Sequence, residues 1–290
     1  MAEGLLICTD LDRTLIPNGE AEESPQARTR FAKLAVRPEI TLVYVSGRHL
    51  ELIVEAVRDY NLPRPDYVVA DVGSSIYTFS EKINKKKPKP WTNWRETLAR
   101  DWAGQSPQDI QALFRDLSDL RLQEAAKQND FKVSYDAPID IDSERLLHTM
   151  QQRLSQRRLQ ARLIWSVDEK SKVGLLDILP AQASKYHALA FMMKQLGFSA
   201  EHTVFSGDSG NDMEVLISPI PAVLVANSTD EVKTQARHLS EKEGTSHALY
   251  LAGGGFLGMN GNYRGGILEG IAHYVPASQA WMACEEGKKT

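Results

Sequence analysis

The run Leu5-Leu6-Ile7-Cys8-Thr9 is continuously apolar up to its last residue and ends on Asp10. A strand that alternates apolar and polar residues buries one face, whereas an unbroken run buries both. Burial on both faces is what a parallel sheet covered by helices requires. Two further runs have this character, Ile40-Thr41-Leu42-Val43-Tyr44-Val45 before Ser46-Gly47-Arg48, and Tyr67-Val68-Val69-Ala70. Helical signals separate them. Ser24-Pro25 supplies a serine N-cap and a proline suited to a first turn. Leu50, Ile53, Val54 and Val57 recur on one helical face. Strand, helix, strand, helix, strand predicts an α/β fold with a doubly wound parallel sheet.

From about Lys82 to Pro180 this grammar lapses. Ser106-Pro107-Gln108-Asp109 starts a helix. Phe131 to Tyr135 alternates as a strand with two unlike faces. Leu146, Leu147, Met150 and Leu154 mark an amphipathic helix, and Ala161 to Trp165 and Gly174 to Leu179 read as strands. A small α+β insert with an antiparallel sheet fits this order. Beyond Pro180 the parallel grammar returns. Ser184 caps a helix carrying Leu189, Met192, Met193 and Leu196 that Gly197 ends. Thr203 to Ser206 and Pro221 to Val225 read as strands, and Ser228-Thr229-Asp230-Glu231 as a capping box. The expected division is a core of residues 1–81 and 181–290 around an insert of residues 82–180.

A chain of 290 residues has room for two such units. Its formal net charge of −4 gives no footprint for nucleic acid or an anionic membrane. Lys85-Lys86-Lys87-Pro88-Lys89 is expected to be a solvated loop. Cys8 lies in an apolar run and reads as an inert buried thiol, while Cys284 has no metal-type spacing to it. The opening residues lack a basic segment before the apolar run, so a cytoplasmic setting is expected. Gly253 to Gly266 is expected to be a loop, and Glu285 to Thr290 a frayed end.

Polar residues gather where predicted core strands end, the edge at which open α/β sheets bind ligands. Asp10-Leu11-Asp12-Arg13-Thr14 spaces two carboxylates by one residue. The first suits attack on phosphorus, and the second suits protonating a leaving oxygen and then activating water. An acidic strand-to-helix turn carries the same pattern. Gly207-Asp208-Ser209-Gly210-Asn211-Asp212 adds carboxylates of the kind Mg2+ prefers. Such a cation would offset repulsion between nucleophile and phosphate. Ser46 and Gly47 offer a hydroxyl and backbone N–H groups to phosphate oxygens, or a helix cap. Arg48 reaches either an anionic ligand or solvent, and Lys185, at a helix start, is placed to neutralise phosphate and an aspartate.

In this order the four motifs, from Asp10-Leu11-Asp12-Arg13-Thr14 through Ser46-Gly47-Arg48 and Ser184-Lys185 to Gly207 through Asp212, resemble the haloacid dehalogenase superfamily. The insert resembles its C2-type cap. Gly73 to Tyr77, Lys132 to Tyr135, Asp177 to Pro180 and Gly266 to Tyr274 are similar to the sucrose-phosphate phosphatase family within it, as is the spacing of Trp91, Trp94 and Trp102. Arg13 departs from that family, where asparagine is common. The resemblance implies a Mg2+-dependent phosphatase with Asp10 as nucleophile and Asp12 as acid and base. It implies metal ligands Asp10, Asp208 and the Asp12 backbone carbonyl, with Asp212 orienting Lys185 or a metal water. Ser46 and Asn211 would bind the phosphoryl group. Lys132, Ser134, Tyr135 and Asp177 are candidate sugar contacts, set against ordinary cap packing. The tryptophans offer sugar stacking or, more commonly, anchoring.

A phosphorylated disaccharide such as sucrose 6-phosphate is the small-molecule partner this implies, with its synthase as a candidate protein partner. Rival readings are a phosphatase for another sugar phosphate such as mannosylfructose phosphate, a phosphohexose mutase, and a non-catalytic sugar-phosphate sensor or synthase accessory subunit. A mutase would return phosphate to sugar, and a sensor would show no turnover.

Overall fold

The structure, a computed structural model, describes residues 4–79, 88–169 and 171–283. The lysine stretch before Pro88, Cys284 and the expected frayed end lie outside the described residues. In chain order the first part gives β1 (Leu5–Thr9), α1 (Ala27–Ala35), β2 (Ile40–Val45), α2 (Leu50–Asp59), β3 (Tyr67–Ala70), β4 (Ser75–Thr78) and the short β5 (Lys89–Pro90). The insert adds α3 (Thr92–Asp101), α4 (Pro107–Ala112), β6 (Arg121–Leu122), β7 (Val133–Pro138), α5 (Ser143–Gln156), β8 (Ala161–Asp168) and β9 (Val173–Pro180). The chain then returns through α6 (Lys185–Leu196), β10 (Thr203–Gly207), α7 (Met213–Leu216), β11 (Ala222–Leu224), α8 (Asp230–Glu243), β12 (Leu249–Leu251) and α9 (Arg264–Tyr274).

The large sheet has eight strands in the order β12-β11-β10-β1-β2-β3-β4-β5. From β12 to β3 every pairing is parallel, and β4 and β5 close one side antiparallel. The unbroken run of β1 is buried at all five positions, as its two-faced apolarity demands. The large sheet thus continues past residue 82 to Pro90 before the insert's own sheet begins. That second sheet has four antiparallel strands in the order β6-β7-β9-β8. One of its faces buries Leu176 and Ile178 together with Leu146, Met150 and Leu154 of α5.

A single apolar cluster runs from Leu6 and Val43 of the large sheet to Val133 and Leu176 of the small one. Trp94 and Trp102 are buried in it, and the Trp94 indole N–H donates to the Gly73 carbonyl at 3.1 Å. Trp94 thereby anchors the insert to the core, with Phe191 of the returning chain against its ring, while Trp102 packs near Phe131 within the insert. Truncating such a side chain to alanine costs about 3–5 kcal/mol.

Several local signals resolve differently from the sequence reading. Helix α1 begins at Ala27 without a side-chain cap, because the Ser24 hydroxyl instead accepts from the Asn260 N–H at 2.9 Å. On α2, Ile53 and Ala56 are buried while Val54 turns to solvent. Thr229, and not Ser228, caps α8 by accepting from the Val232 N–H. The last three residues of the glycine-rich segment enter α9. There Gly270 meets β11 so closely that a Cβ would stand 2.1 Å from Val223 Cγ2. Among the described residues no helix is long and apolar enough to cross a membrane.

Candidate active site

Because β1, β2 and β10 run parallel side by side, the residues that follow them share one edge of the sheet. Asp10, Ser46 and Asp208 stand there, each one residue past its strand. Lys185 arrives from α6, whose first turn is set by the Ser184 hydroxyl accepting from the His187 N–H at 3.2 Å. The Lys185 ammonium is buried and donates to Asp10 Oδ1 at 2.7 Å, Asp212 Oδ1 at 2.6 Å and Asn211 Oδ1 at 3.0 Å. The other Asp212 oxygen accepts from the Asp208 and Ser209 N–H groups at 3.1 and 3.3 Å. Asp212 is thereby fixed by backbone, and it fixes Lys185 in turn.

Asp10, Asp208 and Asp212 bring carboxylate oxygens within 4.8 Å of one another. Burial pushes the Asp10 carboxyl above its usual range, Lys185 pulls it back, and Asp212 and Asp208 push it further up. Burial and then Asp212 likewise raise Asp208, with Arg13 opposing. Burial opposes the charge on Lys185, yet Asp10 and Asp212 hold its pKa above the ordinary value. Three buried carboxylates against one buried ammonium leave a negative excess, and Asp208 Oδ2 is buried without a hydrogen-bond partner. Arg13 Nε lies 3.3 Å from that oxygen as an ion pair. A hard divalent cation with oxygen ligands fits this donor set.

Asp12 stands apart from the cluster. Arg48 grips its carboxylate with Nε at 2.7 Å and Nη2 at 2.6 Å, and Asn18 donates at 2.7 Å. Burial alone would raise the Asp12 pKa, but the Arg48 fork wins and holds it low. Of its oxygens, the backbone carbonyl is the one those side chains leave for a metal. The Arg48 guanidinium thus pairs with Asp12 while its side chain stays partly exposed at the cavity. Ser46 is buried behind the cavity wall, its hydroxyl accepting from the Arg48 N–H at 3.2 Å. It caps no helix, since His49 holds the N-cap position of α2.

These groups open into a cavity of about 460 Å3 whose far wall is the insert. Gly47, Arg48, Ser209 and Asn211 line it from the core, and Lys132 and Asp177 from the cap sheet. Lys132 Nζ lies 3.6 Å from Asp177 Oδ2. Ser134 is fully buried beneath them and donates to Asp177 Oδ1 at 2.5 Å, so it supports Asp177 and does not line the cavity. Tyr135 is a correction. Strand alternation turns it to the opposite face, opposite Leu176 in register, where it packs in the apolar cluster.

The cavity also gathers His49, Asp71, Gln123, Lys127 and Ser166, which the sequence reading did not single out. For Asp71 a signal existed, because it follows β3 as Asp10 follows β1. Gln123 sits on irregular chain and Lys127 ends a short 3-10 turn (Ala125–Lys127) before β7, and neither carries a pattern.

Residues 3–275 match the family described as sucrose-6F-phosphate phosphohydrolase. A HAD-like hydrolase of Nitrosococcus oceani is 50% identical over 283 residues, covering 97% of this chain and 75% of that protein. Sucrose-phosphatase 2 of Nicotiana tabacum is 29% identical over 236 residues, covering 80% of this chain and 52% of that protein. The chain thus spans about half the length of that plant relative. The crystal structure of the Synechocystis sucrose-phosphatase with sucrose and phosphate superposes with a TM-score of 0.70. It covers 94% of this chain and 98% of that one at 24% identity, a likeness of fold.

Proposed function

The chain belongs to the sucrose-6F-phosphate phosphohydrolase family, a family of phosphatases, and from that premise we propose that it hydrolyses sucrose 6-phosphate to sucrose and phosphate. The observation that carries this reading is the buried set of Asp10, Lys185, Asp208 and Asp212 opening into a cavity walled by Lys132 and Asp177. Within the proposal, residues 1–81 and 181–290 are the catalytic core and residues 82–180 the cap, except that β5 (Lys89–Pro90) completes the core sheet. A cytoplasmic setting and a cognate sugar-phosphate synthase as protein partner belong to the same proposal.

In the first half-reaction an Asp10 oxygen forms a bond to phosphorus as the bond to the sugar oxygen breaks. Asp12 gives that oxygen a proton, which calls for the Arg48 fork to let go. In the second half Asp12 takes a proton from water, the water oxygen bonds to phosphorus, and the Asp10 carboxylate leaves. The ion pair with Arg48 keeps Asp12 in the charged state the second half uses. Lys185 stays protonated and screens the nucleophile, while Asp212 holds Lys185 in place. Asp10, Asp208 and the Asp12 backbone carbonyl would hold Mg2+, which supplies charge neutralisation at the phosphoryl oxygens.

The test is phosphate release with Mg2+ across a panel of sugar phosphates and p-nitrophenyl phosphate. Sucrose 6-phosphate is expected to give the highest kcat/KM. A higher value for mannosylfructose phosphate would move the substrate within the same chemistry. Transfer of phosphate back to sugar without release, or no turnover at all, would overturn the reading.

A further inference from the structure

The chain just past β3 takes a conformation that side chains resist. Asp71 and Val72 have φ of 51° and 58°, and Gly73 follows at 98°. A left-handed residue other than glycine costs roughly 1–3 kcal/mol and persists only where its surroundings impose it. Here they do. The Asp71 N–H donates to the Arg48 carbonyl at 3.0 Å and the Val72 N–H to the Ser46 carbonyl at 3.1 Å. Gly73 lies against Ser184 so closely that a Cβ would meet its carbonyl carbon at 2.3 Å. The turn is therefore locked between the strand end carrying Ser46 and the helix start carrying Lys185.

What this arrangement presents is one carboxylate. Asp71 is buried, with 7% of its surface exposed, and it lines the cavity. It shares the cavity with Lys132 and Asp177 of the cap and with His49, and the charge of Lys132 and the nearby Asn129 amide act on it. Asn129 also donates to Ser74 at 3.0 Å, so the same few residues join core to cap. Burial raises the Asp71 carboxyl above its usual range, and Lys132 only partly offsets it. A buried carboxylate that lines a cavity can accept a short, charge-assisted hydrogen bond from a neutral donor such as a sugar hydroxyl.

We propose that Asp71 is a specificity-determining residue that accepts a hydrogen bond from a hydroxyl of the substrate's sugar, opposite Lys132 and Asp177 of the cap. The leaving group is then read by core and cap together, and its class is a neutral polyhydroxyl. The inference rests on the reading of the chain as a sugar-phosphate phosphatase.

Asp71→Gly and Asp71→Asn test it. Glycine suits φ of 51°, so that variant removes the carboxylate while relieving the backbone, and asparagine keeps the shape. Wild type and both variants are assayed on the preferred sugar phosphate of a panel and on p-nitrophenyl phosphate, with melting temperatures alongside. The ratio of the two kcat/KM values is expected to fall roughly 10- to 100-fold in Asp71→Gly, mainly through KM, with no loss of melting temperature. Asp71→Asn should fall less. A purely structural role predicts a lowered melting temperature and equal losses on both substrates, and that result overturns the proposal. So does an unchanged ratio in a wild type that clearly prefers a sugar phosphate. A wild type that prefers no sugar phosphate over p-nitrophenyl phosphate overturns the functional reading and, with it, this inference.

Discussion

Arg13 Nε lies 3.3 Å from Asp208 Oδ2, the buried carboxylate oxygen that has no hydrogen-bond partner. The Arg13 backbone is pinned on both sides, its N–H donating to Asn18 at 2.8 Å and its carbonyl accepting from Asn227 at 2.7 Å. The guanidinium thus occupies a position where a cation ligated by Asp208 would compete with it. Arg13→Asn is expected to tighten Mg2+ binding several-fold by calorimetry, since a half-exposed ion pair contributes about 1 kcal/mol or less. Chelation should abolish turnover and Mg2+ restore it, while Ca2+ should bind yet support little, because its coordination is larger and looser. Full activity after exhaustive chelation would contradict the metal assignment.

Asp10→Asn preserves size and removes the attacking charge. Turnover should fall on the order of 10³-fold or more. Rapid quench with labelled substrate should show no phosphorylated protein. A variant that still turns over at the wild-type rate would remove Asp10 as nucleophile.

Asp177 and Tyr135 are one strand apart in the cap sheet, yet they face opposite ways. Asp177→Ala should lower the preference for a sugar phosphate over p-nitrophenyl phosphate roughly 5- to 150-fold, the cost of an unpaired polar group in a closed site. Tyr135→Phe should leave that preference within about twofold, and Tyr135→Ala should chiefly lower the melting temperature, because its ring packs in the core. Equal effects of Asp177→Ala and Tyr135→Phe on preference would refute this orientation.

Gly270 lets α9 lie directly on β11. Gly270→Ala must push the helix from Val223 and should destabilise by about 1–3 kcal/mol, despite the better helix propensity of alanine. Denaturant unfolding measures it, and a stabilised variant would show that the contact relaxes freely.

Stability should depend on pH through Asp71. Its folded pKa stands above 3.8, so the folded state binds the proton more tightly than the unfolded chain does. Its contribution is fully present below the unfolded pKa and is lost as pH rises through the folded value. Asp71→Asn removes that dependence. The melting temperature of Asp71→Asn relative to wild type should therefore be higher at pH 7 than at pH 4, measured with chelator present. A difference independent of pH would show that the carboxyl is not perturbed by folding.

The sequence by itself determined the large sheet and much of its reactive edge. Unbroken apolar runs call for burial on both faces, and residues just past parallel strands share one edge of the sheet, which places Asp10, Ser46 and Asp208 on that edge; the strand order β10-β1-β2 then makes them neighbours. Local chemistry also set the ends of α6, where Ser184 caps and Gly197 takes φ of 77°. Tertiary structure decided what no local pattern encodes. The register of β7 against β9 put Ser134 beside Asp177 on the cavity side and Tyr135 opposite Leu176 in the core, since a one-residue difference reverses a strand face. Arg48 found Asp12 across 36 residues, and Ser24 gave up a helix cap for Asn260. Asp71 follows β3 as Asp10 follows β1, but only the packed cap sets Lys132 and Asp177 across the cavity from it. Each of these outcomes depends on which distant groups the packed chain brings together, a property of the whole fold and not of any segment in it.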